Sequence, residues 1–461
     1  MIRSLRKLLG LDGAVAYTFL ARATNIVGST GTVLLIVRFL SPIEQGYYYT
    51  LLSLVSLQLV FELGFSLVIQ QLAAHECVHL ELHADGSVSG DAVAHARLAS
   101  ALQLSLRWYS VAAAAMVVLL APLGFLFFAR HAEAAGAQIA WHGPWLFAVV
   151  ASAISLWFMP FYSFLEGCGH IRAVAAMRFR QAIATAACAW VPLFLHCGLY
   201  SAAAAILGYF GAGLFFVARH RALLAGLLRF RHEESGIHWI REVWPFQWRI
   251  AVSWTCSYFT VQIFIPLLFA LRGPVEAGQM GMSLSITGYM TVLALAWTST
   301  KTTPFGNMIA RGEFTGLERL FWRALRQSLS VFILIAAGVC SLVALLPGTF
   351  PRLAARMVSP RLFLLLILAA GANCIVQSLA ALLRSFKSEP FLIQSLIVAA
   401  LTLALGALTA PRWGIAGAAA SYLIATGGVG LSFALVIFLR ARRAYFGPGT
   451  LVHVSRTCEG A

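Results

Sequence analysis

The sequence predicts an all-α integral membrane protein of about twelve transmembrane helices, arranged as two parallel six-helix halves around a central cavity. Three observations carry this: a composition too apolar for a water-soluble globule, twelve apolar stretches of spanning length, and a repeated turn motif that divides them into two sets of six. Of 461 residues, 60% are hydrophobic and 11% charged, with a mean hydropathy of +0.83, which leaves too little polar surface to face water. A hydrocarbon layer of about 30 Å takes about 20 apolar residues per helix, so the chain holds a dozen such helices and little soluble domain.

The first stretch runs from 16 to 40 behind Arg3, Arg6 and Lys7; without a convincing small-residue cleavage site it reads as a retained span. Spans two to six follow at 47–73, 105–129, 144–165, 175–196 and 199–218, the last two closely spaced around His196 to Ser201. The second set lies at 247–270, 278–300, 328–347, 361–383, 390–409 and 414–439. Residues 219–246 between the sets are rich in Arg and Trp and suit a cytoplasmic linker with a helix at the membrane interface. The expected organisation is therefore an N-terminal half (1–218), a linker (219–246), and a C-terminal half with a cytoplasmic tail (247–461).

Lys and Arg set the orientation. Of 33, the termini and the loops on their side hold 25, the opposite loops hold six, and Arg22 and Arg38 lie in the first span. Loops rich in positive charge stay cytoplasmic, so both termini are predicted there. The net charge of +16 is then a topology signal beside anionic lipid, and no nucleic-acid partner is inferred from it. Eight cysteines without a C-x-x-C pair point to packing, so no cofactor and no metal site is expected. His75, His79 and His83 recur every fourth residue beside Glu76 and Glu81, but the outer two are too far apart to share one ion easily, and a solvated face is the expected role.

The turn after span one, Pro42-Ile43-Glu44-Gln45-Gly46, recurs after span seven as Pro274-Val275-Glu276-Ala277-Gly278. Pro and Gly stop the outgoing helix, and the acid sits in the positive dipole of the next one. Gly198 and the small residues before span six resemble Gly414 and its successors before span twelve, and spans four and ten both exit into basic residues. Six spans per half preserve orientation, so the halves are parallel repeats, an architecture that points to transport through a shared cavity.

Span one carries Thr18, Arg22, Asn25, Ser29 and Thr32 within an arc of about 80°. An offset of 231 residues maps the first four onto Arg249, Ser253, Cys256 and Thr260 of span seven. Such a stripe either bonds to a neighbouring helix or lines a watery cavity. An arginine inside a span costs about 2.5 to 3.5 kcal/mol on insertion scales, which favours cavity lining for Arg22, with snorkelling to the near rim as its rival. Arg249 and Arg38 lie nearer the rims, where anchoring is the expected role. Glu62 is the one acid deep in a span, with Gln58, Ser66 and Gln70 close to its face. It lies within reach of an extended Arg22, either as a permanent bridge or as one that opens to substrate or a proton.

Three runs carry a resemblance over nearly the whole chain: Arg38-Phe-Leu-Ser-Pro-Ile-Glu-Gln-Gly-Tyr-Tyr48, Phe61-Glu-Leu-Gly-Phe-Ser66, and Pro304-Phe-Gly-Asn-Met-Ile-Ala-Arg-Gly-Glu313 with the amphipathic stretch Leu317 to Arg326. In these the sequence resembles the polysaccharide transporters and O-antigen flippases of the multidrug/oligosaccharidyl-lipid/polysaccharide (MOP) flippase superfamily. The resemblance implies a flippase, not an enzyme, that moves an undecaprenyl-diphosphate-linked oligosaccharide from the cytoplasmic to the outer face of a bacterial inner membrane, for lipopolysaccharide or other surface polysaccharide. Its partners would be that lipid-linked oligosaccharide, membrane lipid, and a coupling proton or sodium ion. A diphosphate needs cationic and hydrogen-bonding groups, which Arg22, Asn25 and Arg249 supply. Glu62, before Leu-Gly, looks like a recurrent family acid. A cation-coupled small-molecule efflux antiporter of the same superfamily is the nearest alternative. A membrane glycan polymerase or ligase is the second; the short outer loops, with only His131, Glu133 and His142 as candidate acids or bases, argue against it.

Overall fold

The computed structural model describes residues 13–83, 87–132, 139–230, 239, 243–386 and 389–446. Arg3, Arg6, Lys7, Glu133 and much of the expected linker lie outside them. Every expected span coincides with helix. In order these are α1 (Gly13–Phe39), the broken second span α2 (Pro42–Val55), α3 (Gln58–Glu62) and α4 (Phe65–Glu76), then α5 (Ala92–Ala132), α6 (His142–Gly167), α7 (Ile171–Phe194) and α8 (Tyr200–Arg219). A short amphipathic helix, α9 (Arg221–Arg229), opens the linker with Leu223, Leu224 and Leu227 buried. The second set comprises α10 (Trp244–Val261) and α11 (Phe264–Arg272), α12 (Pro274–Ala294) and α13 (Ala296–Ser299), α14 (Thr302–Ala310), α15 (Phe314–Thr349), α16 (Pro351–Ala354), α17 (Pro360–Arg384), α18 (Leu392–Leu423) with a π-helical continuation (Ile424–Gly430), and α19 (Leu431–Phe446).

Among the described residues, seven helices are long and apolar enough to cross a bilayer unaided, and the bent pairs α2–α4 (43°) and α10–α11 (40°) add two. One of the seven runs from Leu392 to Arg443, 52 residues, and Gly414 (φ 54, ψ −134) divides it into the two expected spans. The remaining expected spans fall on α7, which carries Arg172, Arg178 and Arg180 in its first half, and on α12, which continues into α13. Mid-helix residues such as Ile333 and Leu334, 65% and 74% exposed, present an apolar exterior that only lipid would solvate.

Two helices begin well before the expected span. The third span's helix starts at Ala92, where Asp91 accepts bonds from the backbone N–H of Val93 and Ala94, and the ninth's at Phe314. Hydropathy marks where a helix enters lipid, whereas an amphipathic stretch such as Leu317 to Arg326 stays helical outside it by burying one face.

The chain forms two compact units: the residues through Thr255 with Gly273–Gly278, and Cys256–Arg272 with the residues from Gln279 onward. In the first, α1 packs on α7, α7 on α8, and α6 on α4, α5 and α8. Trp145 is fully buried and donates its indole N–H to Ala121 O at 3.0 Å. The second is built on Phe305, Leu317, Phe321, Leu383, Phe391 and Phe438, with a buried hydroxyl group of three, Thr298 to Ser328 (2.8 Å) and to Ser378 (3.3 Å), tying α13, α15 and α17 together.

The repeated turns meet inside the first unit. Ser41 and Glu44 form a reciprocal capping box at the start of α2, so the repeated acid satisfies the helix end. Gln45 donates its side-chain N–H to Gly278 O at 3.0 Å, and a Cβ at Gly46 would stand 2.0 Å from Pro274 O. The glycines of both motifs allow this backbone approach. Gly198 and Gly414, matched in the sequence, both take φ of +54°.

Candidate functional site

The first unit places Glu62 at a break in a spanning helix. α3 ends at Glu62 because Leu63 (φ 53) and Gly64 (φ 65) are both left-handed, and α4 restarts at Phe65. Successive left-handed residues interrupt the hydrogen-bond ladder, which membranes tolerate only where protein or a cavity covers the freed backbone. Ile250 and Trp254 of α10 cover it, close enough that a Cβ at Gly64 would lie 2.5 Å from the Ile250 methyl.

Glu62 is 2% exposed. The Ser66 hydroxyl, one turn along, donates to Glu62 Oε1, and the Tyr109 hydroxyl of α5 lies against both. Phe65 stacks on Tyr109 (6.1 Å, 16°) and meets Trp239 edge-on at 4.8 Å, so aromatic rings wall the acid. Tyr209 of α8 is within electrostatic reach of Glu62, and the Gln181 amide of α7 donates to Tyr209 O at 3.3 Å. Gln181 Oε1 and the hydroxyls of Tyr109, Tyr162, Ser152 and Ser155 are buried without a hydrogen-bond partner among the described residues. Towards the end of α6, Arg178 pairs with Glu166 at 2.5 Å and lies in electrostatic reach of Tyr209.

Glu62 accepts from the Ser66 hydroxyl; no bridge to Arg22 is found among the described residues. Arg22 is half-buried and Asn25 exposed on α1. Ser29 donates to Ile26 O (3.0 Å) and Thr32 to Gly28 O (2.8 Å), while Trp190 of α7 donates to Thr32 at 3.0 Å. Thr32 is therefore a helix-packing contact, whereas Arg22, Asn25 and Ser29 lie on the partly exposed side. On α10, Arg249 is exposed and lies over the Trp248 ring at 5.7 Å, Ser253 is buried, and Thr260 donates to Cys256 O at 2.8 Å. Hydroxyls bonded back to their own helix are satisfied in lipid or in a cavity alike. The sequence reading missed Tyr109, Gln181 and Tyr209. Each is a polar residue inside an apolar span, the same signal that singled out Glu62.

No family model matches the sequence, and no curated protein matches it. Solved structures do resemble it. The eukaryotic MATE transporter AtDTX14 shares 14% identity at a TM-score of 0.62, covering 96% of this chain and 99% of that one. The lipid II flippase MurJ, in an inward closed conformation, shares 13% at 0.57, covering 94% and 90%. A MOP superfamily transporter from Pyrococcus furiosus shares 13% at 0.57, covering 95% and 97%. The likeness runs the length of the chain and gives it the fold of these transporters, twelve helices in two six-helix lobes. With its apolar helices this makes the protein a multi-pass membrane protein.

Proposed function

We propose that the protein is a flippase that carries an undecaprenyl-diphosphate-linked oligosaccharide across a bacterial inner membrane by alternating access, with both termini cytoplasmic. The observation that carries the reading is the Glu62 site: a carboxyl group buried at the break of a spanning helix, bonded by the Ser66 hydroxyl and, among the described residues, by no base. A charge that deep without a cationic partner is costly, so such an acid is retained where it takes up and releases a proton or a sodium ion. The break after Glu62 supplies the bend through which a change in its charge would move α4 against α3. The polar side of α1, with Arg22, Asn25 and Ser29, and Arg249, Ser253 and Thr260 on α10 would line the route. The two guanidinium groups would meet the diphosphate, and the amide and hydroxyls its sugars.

Support comes from the fold, which a lipid II flippase shares, and from the three sequence runs that resemble polysaccharide flippases. MATE multidrug transporters share the fold equally, and a cation-coupled efflux antiporter would use the same acid. Rescue of a flippase-deficient strain, scored by surface glycan and by loss of the accumulated lipid-linked precursor, tests the proposal. Drug export without such rescue refutes it in favour of the antiporter. Glu62→Gln and Arg22→Ala should each impair glycan export in protein that still inserts; full export by both removes them from the mechanism.

A further inference from the structure

The amphipathic start of α15 holds a cationic groove that the transport route does not use. Arg319, Arg323, Arg326 and Ser330 fall within about 60° of one another around the helix, while Leu317, Phe321, Ala324, Leu325 and Ser328 bury the opposite face. Two adjoining hollows flank the arginines. One of about 410 Å³ is lined by Trp297, Arg323, Arg326, Gln327, Ser330 and Val331. The other, of about 330 Å³, shares Arg323 and Arg326 and adds Arg319, Trp322, Thr315 and Glu318.

The protein leaves these cations available. Arg323 has no side-chain partner among the described residues, and Arg319 and Arg326 reach only backbone carbonyls, at 3.4 and 3.3 Å. Glu318, the acid in the groove, is taken by Arg442, whose Nε and terminal nitrogen approach its Oε1 at 2.9 and 2.7 Å. Three guanidinium groups therefore share one open face, and the acid that lines it, Glu318, is already paired with Arg442.

Depth identifies what they meet. The 23 helical residues from Gln327 to Thr349 carry no charge. They rise about 34 Å, enough to fill a hydrocarbon layer of about 30 Å. Arg326 then stands at the edge of that layer, with Arg323 about 5 Å and Arg319 about 10 Å further out, the level of lipid phosphates. Trp297 and Trp322 flank the groove at the same level, where indoles settle in bilayers. Forked guanidinium groups match phosphate oxygens, and a cluster of this kind beside a spanning helix collects anionic headgroups.

From this we infer that the groove binds the phosphate headgroup of an anionic membrane lipid. The site lies wholly on residues 297–331 with their Arg442 partner, and it stands whether the cargo of the transporter is a glycan lipid or a drug.

Native mass spectrometry of the delipidated full-length protein, titrated with phosphatidylglycerol and in parallel with phosphatidylcholine, tests it. Wild type should take its first phosphatidylglycerol in preference to phosphatidylcholine. Arg323→Gln with Arg326→Gln should weaken that first step about 30-fold and leave phosphatidylcholine uptake unchanged. Arg323→Gln alone, at an exposed position without a partner, should weaken it about fivefold. The double lysine variant, which keeps charge but loses the fork, should fall between. Neutralising Arg352 and Arg361 at the other end of the span should change nothing. Unaltered phosphatidylglycerol binding by the double glutamine variant overturns the inference. So does displacement of the lipid by millimolar inorganic diphosphate, which would assign the groove to a soluble phosphate.

Discussion

Gly46→Ala tests whether the two repeated turns are locked by backbone contact. A Cβ at 46 would stand 2.0 Å from Pro274 O, 2.5 Å from its carbonyl carbon and 2.7 Å from its Cα. Carbon and oxygen in contact need about 3.3 Å, so the start of α12 must retreat by more than 1 Å. The obstacle is backbone and cannot rotate aside. Overpacking of this kind costs about 1–3 kcal/mol, and stretching the buried bond from Gln45 to Gly278 O adds about 1 kcal/mol. A loss of about 2–4 kcal/mol follows, read as a lowered unfolding temperature of purified protein in detergent. Gly278→Ala should cost less, since its nearest contacts are 2.9 and 3.1 Å from Gly46 N and Cα, and Gly288→Ala, with nothing within 4 Å, should cost nothing. If Gly46→Ala melts with Gly288→Ala, the turns do not depend on that contact and the reasoning fails.

Three further outcomes follow from particular contacts. Ser328→Ala removes the 2.8 Å bond to Thr298 in a fully buried site and should destabilise by about 1–2 kcal/mol in the same melting assay, whereas Arg442→Gln, which breaks the exposed pair with Glu318, should cost less than about 1 kcal/mol. His170 lies between α6 and α7, where burial and then the neighbouring His220, with ring centroids 5.3 Å apart, hold its imidazole below the usual histidine range. Its neutral form is favoured by folding, so the stability it contributes is complete above the ordinary histidine pKa and is lost as pH falls through the lowered one. Melting temperatures from pH 7.5 to 5 should therefore fall less steeply in His170→Phe than in wild type, and parallel slopes would exclude the effect. Glu62→Gln keeps an acceptor for Ser66 but cannot exchange a proton; it should melt like wild type and still lose export, and unimpaired export would sever the acid from coupling.

Much of the fold was legible because lipid imposes a one-dimensional rule: a run of apolar residues long enough to cross must be helix. The rule says little about what lies beside the membrane or about breaks within a span. α5 and α15 extend past their apolar runs through stretches that hydropathy treats as loop. The break at Leu63 and Gly64 has only one glycine to announce it, and a leucine at φ 53 is not a conformation that sequence suggests. For the site, a lone acid in an apolar run identified Glu62, and the hydroxyl that bonds it, Ser66, stands one turn along, but the tyrosines beside it come from α5 and α8. Tyr109 and Tyr209 lie 47 and 147 residues further along the chain, and no local pattern joins residues so far apart. Arg22 is a reasonable partner by depth alone; depth does not fix azimuth, and the Ser66 hydroxyl bonds the acid instead.

The repeated turns show how a duplicated sequence acquires an unequal role. Both copies keep Pro at the helix start and Gly four residues on, and the backbones touch where Gly46 meets Pro274 and Gly278. Between them the copies differ. Gln45 reaches across to Gly278 O, while its counterpart Ala277 has no donor to return. Ser41 closes its helix with a capping box; the matching position before Pro274 is Gly273, at φ 94, with no hydroxyl to cap. What both copies retain is therefore the close approach, and what they have lost is the symmetry of the bonds that accompany it. The contact needs small residues on both sides, whereas one polar arm is enough to hold it. Gln45→Leu and Gly46→Ala should separate these two contributions: the first loses one hydrogen bond, of about 1 kcal/mol, to a carbonyl inside a helix, the second forces the backbones apart. If the steric term dominates, Gln45→Leu will melt closer to wild type than Gly46→Ala does.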